Sequence, residues 1–322
     1  MSLASLLGSF TGVRALVVGD VMLDEYVFGH ASRISPEAPV MVVRQDRTKS
    51  VPGGAANVAQ NVVALGGDVT VVGVVGEDSA GASLAEAIAQ QPRTRAMLVA
   101  DPSRATTRKT RIVADHSHQV LRIDHESDEP VAESVVGQLS KQVESTIEGC
   151  RVVILSDYLK GVLTGPLVAA IVASARARGV PVVANPKPKS CLHYRGAALV
   201  SLNRKEAEEV TGGAIDGPDS ASYAAQKALE AIGCEAVLVT LGEAGMVVYQ
   251  GEESFAAVPP KVEVYDTAGA GDTVVAAVAL ARAVGPLGQI GLQLAAEASA
   301  RVVRHVGVAV PDERDLAEIR GL

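Results

Sequence analysis

The stretch most able to do chemistry is Asp266-Thr267-Ala268-Gly269-Ala270-Gly271-Asp272-Thr273. It lies between a strand-like run, Val262 to Tyr265, and a run of small apolar residues, Val274 to Leu280, that reads as a buried helix. A glycine-rich turn opening a helix leaves main-chain N–H groups unpaired. With the positive end of the helix dipole they form an anion site. A carboxylate there repels a bound phosphate unless its task is to take a proton from an attacking hydroxyl. The combination of the Asp272 carboxylate with the amides of Ala270, Gly271 and Asp272, in a turn that Gly269 opens, therefore points to phosphoryl transfer. A glycine-rich turn with Asp272 as a helix cap accounts for the same residues. A dinucleotide fingerprint does not, because its third glycine falls on Val274, and the absence of any Gly-Lys pair excludes a Walker A loop.

The elements needed to position this stretch are strands alternating with helices. Valine-rich runs separate alanine-rich ones, the pattern of buried parallel strands between helices. Strands are expected at Ala15–Gly19, Val69–Val75, Val152–Leu155, Val180–Ala184, Ala198–Ser201 and Ala236–Thr240. Polar residues follow these strands in turn: Asp20 and Asp24, then Asp157 and Lys160, then Asn185 and Lys187, then Asn203 and Glu206. Ligands of open α/β sheets gather at the carboxyl edge, so this row reads as one site. Pro52-Gly53-Gly54-Ala55-Ala56-Asn57 admits a ligand against its backbone, with Asn57 able to bond sugar hydroxyls. A plain turn and a surface amide explain it equally well.

Two segments stand apart from the alternation. Tyr26–Phe28 and Val40–Val43 read as strands outside the main sheet, joined by an irregular, proline-containing Arg33–Pro39. Thr106–Val113 and Gln119–Asp124 read as a hairpin around Asp115-His116-Ser117-His118. Arg104, Arg108, Lys109 and Arg111 crowd its start without an acid between them. That is either an anion pocket or an edge strand protected by charge.

The 322 residues suffice for a sizeable core, and the formal charge of −8 argues against a nucleic-acid or membrane surface. Met1–Phe10 lacks a basic region and reads as a short helix. No uncharged apolar run is long enough to span a membrane. Cys150, Cys191 and Cys234 are scattered and odd in number, which fits a reducing cytoplasm.

Together these motifs resemble the ribokinase (PfkB-type) superfamily of carbohydrate kinases from Arg14 to about Pro311, with Asn203-Arg204-Lys205-Glu206 matching its NxxE motif. A closer resemblance, to the D-glycero-β-D-manno-heptose-7-phosphate kinases, rests on four stretches. They are Val18–Asp24, Ser32–Pro39, Pro52–Ala59 and Leu155–Gly161. The chain departs from that pattern at Asn185, at Leu202 and near Ala296, where Arg301, Arg304 and His305 are expected by the adenine pocket.

The resemblance implies one three-layer α/β/α ribokinase-like domain over residues 1–322, in the form without a fused nucleotidyltransferase. Its β-strand lid would lie at about 21–50 and 104–125. It implies ATP near Asn203, Thr240, Gly242 and Gly245, and Mg²⁺ held through water by Glu206. K⁺ is a candidate at Asp266 and Ala268. The sugar would contact Asp20, Asp24, Arg33, Gly53, Gly54, Asn57 and Asp157. Its phosphate would be met by Arg108, Lys109, Arg111 and Arg122, or by Lys160 and Lys187. A homodimer through the lid is expected, with no nucleic-acid or membrane partner. Kinases for fructose phosphate, ribose or a nucleoside, and a catalytically silent sugar-binding protein, are the rival readings.

Overall fold

The computed structural model describes residues 2–114 and 118–322. Its elements alternate as expected, beginning with α1 (Leu3–Gly8) and β1 (Arg14–Gly19). Two long strands follow, β2 (Val21–Ile34) and β3 (Met41–Gly54), then α2 (Ala55–Ala64), β4 (Asp68–Gly76), α3 (Ser79–Ala89) and β5 (Thr94–Asp101). After β6 (Arg108–Ala114) and β7 (His118–His125) come α4 (Glu133–Ile147), β8 (Val152–Ser156), α5 (Gly165–Ala177) and β9 (Val182–Asn185). β10 (Leu199–Asn203), α6 (Arg204–Thr211), α7 (Pro218–Ile232), β11 (Ala236–Thr240), β12 (Met246–Gln250) and β13 (Glu253–Ala257) complete the strands. Three helices end the chain: α8 (Ala270–Val284), α9 (Gln289–Val302) and α10 (Glu313–Arg320).

Nine strands form the main sheet in the order β13-β12-β11-β10-β9-β8-β1-β4-β5. All pairs are parallel except those of β12 and β13. Its valines are buried on both faces because helices cover both. α1, α2, α3, α8, α9 and α10 close one apolar core. α4, α5, α6 and α7 close the other. The expected three layers are present.

The second sheet has the order β3-β2-β6-β7. The expected short strands at 26–28 and 40–43 are parts of a hairpin far longer than the sequence pattern indicated. Pro52, Gly53 and Gly54 finish β3, paired with Leu23, Met22 and Val21. β6 runs beside β2 only as far as Gly29, where a bulge interrupts the β2–β3 register. Among the described residues the hairpin therefore extends past β6. Residues 115–117, the expected turn between β6 and β7, lie outside the described residues. Val262–Tyr265 is not a strand; Tyr265 and Asp266 both donate their N–H groups to Val303 O (2.8 and 3.2 Å). No helix among the described residues is long and apolar enough to cross a membrane.

Asp20 joins the central strands. Its Oδ2 accepts from the N–H groups of Tyr158 (2.7 Å) and Lys160 (3.1 Å), and its Oδ1 from Val162 (3.3 Å). Burial pushes its carboxyl up to about 6, against the pull of these amides. This bonding corrects its expected role as a free sugar ligand: it moulds the loop after β8. Asp20→Ala leaves three inward N–H donors without an acceptor. It is expected to cost about 2–4 kcal/mol in urea unfolding. A change within about 0.5 kcal/mol would mean that water replaces the carboxylate.

Candidate active site

Helix α8 starts at a left-handed residue, Gly269 (φ +85°), with no side chain capping it. A Cβ at Gly269 would stand 3.0 Å from Asn57 Nδ2, so glycine lets α2 and α8 approach. The Ala270 N–H is taken by Thr267 O (3.3 Å). The N–H groups of Gly271 and Asp272 have no acceptor among the described residues. Of the three amides expected to act as donors, the structure leaves these two. Almost all of α8 is buried, and its dipole points its positive end at this turn.

Asp272 is 6% exposed. Its Oδ2 accepts from Asn57 Nδ2 (2.6 Å) and its Oδ1 from the Tyr158 hydroxyl (2.7 Å). Burial raises its carboxyl to about 6; the two hydrogen bonds and Lys187 pull the other way, and Asp24 adds to the rise. A carboxylate poised near neutrality is suited to accept a proton. The next residue, Thr273, donates its hydroxyl to Asn61 Oδ1 (2.7 Å), and Asn61, one turn beyond Asn57 on α2, donates to Asn57 O (2.9 Å). Asn57 Oδ1 is buried without a partner. An acceptor left open beside the carboxylate fits a hydroxyl ligand.

Asp272 lines a small cavity of about 130 Å³ with Tyr158, Lys187, Asn203, Glu206 and Gly271. Thr240 and Gly271 also line a cleft of about 700 Å³, walled by Pro259, Val264, Ala300 and Val303. Gly242 and Gly245 line that cleft as well. Its walls are largely apolar, and Thr240 and Gly271 join it to the polar cavity.

The NxxE motif has a structural role that the sequence reading omitted. Asn203 and Glu206 form a capping box for α6: Asn203 Oδ1 accepts from Glu206 N (3.0 Å) and Glu206 Oε2 from Asn203 N (2.8 Å). The other oxygen, Oε1, pairs with Lys187 Nζ (2.7 Å). Lys187 thus belongs to the α6 side, with its ammonium 5.2 Å above the Tyr158 ring, rather than to a remote sugar-phosphate pocket.

Two of the four clustered cations, Lys109 and Arg111, have acid partners from other elements, while Arg104 donates to the carbonyls of Ser127 and Lys160 and Arg108 Nε is buried without a partner. Lys109 and Lys160 converge on Glu126 (2.8 and 2.7 Å), and Lys160 also meets Asp128 (2.6 Å). Arg122 grips Asp124 through two bonds of 2.9 Å. Arg111 pairs with the buried Asp24 and lies 5.3 Å over the Tyr26 ring. Gly53 packs against the Asp24 carboxylate, where a Cβ would collide. Tyr26 ties the lid to the body, since its hydroxyl accepts from Val308 N (2.9 Å).

Three further expectations need correction. Asp157 turns into the far core, where Ser190 (2.6 Å), Tyr194 (2.8 Å) and the Leu159 N–H (2.8 Å) use its oxygens. Arg33 is exposed on the projecting hairpin, outside the cavity. Arg301 forms a buried pair with Glu297, while Arg304 meets Glu318 and His305 meets Asp315. These three therefore turn toward α10, while Ser299, Ala300 and Val303 face the cleft. Asp266, the expected K⁺ ligand, accepts from Ala268 N (2.9 Å) and Gly307 N (3.0 Å). Tyr158 was missed as a site residue, although it sits in the polar row between Asp157 and Lys160.

A family model described as pfkB family carbohydrate kinase matches residues 14–315. The chain is 42% identical over 310 residues to the bifunctional protein HldE of Bradyrhizobium diazoefficiens, covering 96% of this chain and 63% of that protein. It is 43% identical over 311 residues to that of Caulobacter sp. K31, covering 96% and 63%. The chain thus spans under two thirds of these relatives' length. Among solved structures it resembles phosphofructokinase-2 from Escherichia coli in complex with potassium (TM-score 0.79, 21% identity, 97% and 98% covered). It also resembles Arabidopsis thaliana ribokinase complexed with ribose and ATP (0.72, 20%, 97% and 99%). Both show the same fold.

Asp272 also affects stability. Its carboxyl titrates near 3.9 in the unfolded chain and near 6 when folded, so the folded state binds its proton more tightly. Ionisation therefore destabilises the fold progressively from about pH 4 to 6, by about 2–3 kcal/mol once complete. In Asp272→Asn the tyrosine hydroxyl can rotate to accept from the new amide. The variant is expected to melt above the wild type at pH 7, with the gap closing toward pH 4. Thermal unfolding across that range checks this.

Proposed function

The chain belongs to the pfkB family of carbohydrate kinases, phosphotransferases with an alcohol acceptor, and on that premise we propose that it moves the γ-phosphoryl group of ATP onto the anomeric hydroxyl of D-glycero-β-D-manno-heptose 7-phosphate. The observation that carries the reading is the carboxylate of Asp272, seated at the open start of α8 on the wall of a cavity joined to the large cleft. The heptose comes from the sequence resemblance, whose Leu155–Gly161 motif supplies Tyr158 and Lys160 and whose Pro52–Ala59 motif supplies Asn57.

ATP occupies the cleft bounded by Thr240, Gly242 and Gly245, its phosphates toward Asn203 and Lys187. Mg²⁺, when bound through water to Glu206, supplies charge neutralisation on those phosphates. Glu206 has one oxygen on Lys187, and that pair can open toward metal and phosphate respectively. Asn57 orients the sugar by its free amide oxygen, and Asp272 takes the proton of the attacking hydroxyl. The amides of Gly271 and Asp272 stabilise the transferring group; loss of one such donor costs about 10²–10³ in rate. K⁺ near Asp266 and Ala268 would meet main-chain carbonyls, since both Asp266 oxygens are engaged.

The 7-phosphate is received by Lys109 and Lys160, which already share one anion, Glu126. Leu121 and Ile123, 54% and 53% exposed on β7, favour a homodimer through the lid. Three buried, unpaired cysteines accord with the cytoplasm.

Asp272→Asn should lower turnover by more than about 10³ while ATP affinity stays within a few-fold. Unchanged turnover would remove the base. Lys109→Met and Lys160→Met are each expected to raise KM for the heptose phosphate about tenfold with little change in kcat. A panel of heptose 7-phosphate, fructose 6-phosphate, ribose and adenosine with ATP tests the acceptor. Faster turnover of an unphosphorylated sugar would refute the two-lysine site, and binding without turnover on any would favour a silent sugar-binding protein.

A further inference from the structure

Tyr158 sits where few tyrosines could be held by accident. The residue after it, Leu159, has φ +57°, a left-handed conformation costly for a branched side chain. The loop keeps that shape because two buried carboxylates grip it from opposite sides. Asp20 accepts from the Tyr158 and Lys160 N–H groups, and Asp157 accepts from Leu159 N. Together these bonds aim the Tyr158 hydroxyl at Asp272 Oδ1, 2.7 Å away. Burial first, and then the Asp272 carboxylate beside it, hold its phenol well above the ordinary range and therefore protonated. A protonated phenol facing a carboxylate donates its hydrogen.

We infer that Tyr158 is a positioning residue for the transfer reaction, its hydroxyl fixing the Oδ1 side of Asp272 and setting the pH at which that carboxylate is free to take the sugar's proton. The inference rests on Asp272 being the base. With Asn57 holding Oδ2, the carboxylate plane is pinned from both sides, and each oxygen keeps one lone pair for substrate. The other charged groups near Asp272 come as pairs: Asp24 with Arg111 from the lid, and Lys187 with Glu206 from β9 and α6. Their net charges largely cancel. The tyrosine is thus one of two uncharged donors that offset burial.

Tyr158→Phe removes one oxygen and leaves the ring under Lys187. A hydrogen bond that favours the charged form is lost, so the Asp272 pKa must rise. The acid limb of kcat/KM for heptose 7-phosphate is expected to move up by about one pH unit. Replacing the Tyr158 phenol with 3-fluorotyrosine, a stronger donor of the same shape, is expected to move the limb the opposite way. A role in packing alone would lower the rate without moving the limb, and that result overturns the inference. Unchanged ATP binding by Tyr158→Phe establishes that the variant is folded.

A readout independent of turnover separates this inference from the reading beneath it. The Asp272 carboxyl carbon, assigned by its absence in Asp272→Asn, can be titrated by ¹³C NMR in the substrate-free protein. Its midpoint should rise in Tyr158→Phe. If it does not, the hydroxyl does not govern the carboxylate and the inference fails even with Asp272 as the base. If it rises while the rate profile stays fixed, Asp272 is not the base, and the positioning role falls with it.

Discussion

One carboxylate kept out of water, between two neutral donors, is the constraint around which this molecule is arranged. Asp272 could not stay ionisable at the end of a buried helix without help. Asn57 and Tyr158 give that help, one from α2 and one from the loop after β8. The cost of burial leaves the group able to exchange a proton near neutral pH. Three separate parts of the chain must therefore meet within hydrogen-bonding distance, and the sheet exists to bring them there.

The same logic extends outward from that meeting point. Asp20, deep between β1 and β8, accepts from the loop's amides and so shapes the loop that presents Tyr158. Asn61 and Thr273 repeat the α2–α8 stitch one turn further in. Glu206 caps α6 while holding Lys187 over the tyrosine ring. Each polar residue serves two neighbours, which is how buried polar groups are kept satisfied at a sheet edge. One exception is instructive: the amide oxygen of Asn57, beside Asp272, is buried without a partner.

Much of the frame was legible in the sequence because it depends on local pattern. Buried strands read as valine runs, and the residues at their carboxyl ends followed from the alternation. The Asp266–Thr273 string was legible because its chemistry is written in adjacent residues. What escaped was set by distant partners. Lys109 and Arg111 of β6 looked unpaired because Asp124 and Glu126 lie on and after the next strand and Asp24 lies far upstream, and only folding brings them across. Asp20 and Asp157 looked like ligands because sequence does not show which way a carboxylate turns. Tyr158 was passed over because tyrosine reads as an apolar residue until its hydroxyl is seen against Asp272. The long β2–β3 hairpin was hidden by charged and polar residues, which a solvent-facing strand tolerates but a periodicity argument cannot detect.

The bond from Val308 to the Tyr26 hydroxyl has a mechanical consequence. Gly307, with φ +81°, presses its bare Cα against the same ring, so the root of the second sheet is clamped to the stretch between α9 and α10. The bulge at Phe28–Gly29 falls where the described part of β6 ends beside β2. The strand that carries Asp24, and through it the Arg111 partner, is held to the body of the molecule by a hydrogen bond and a close main-chain approach at one ring.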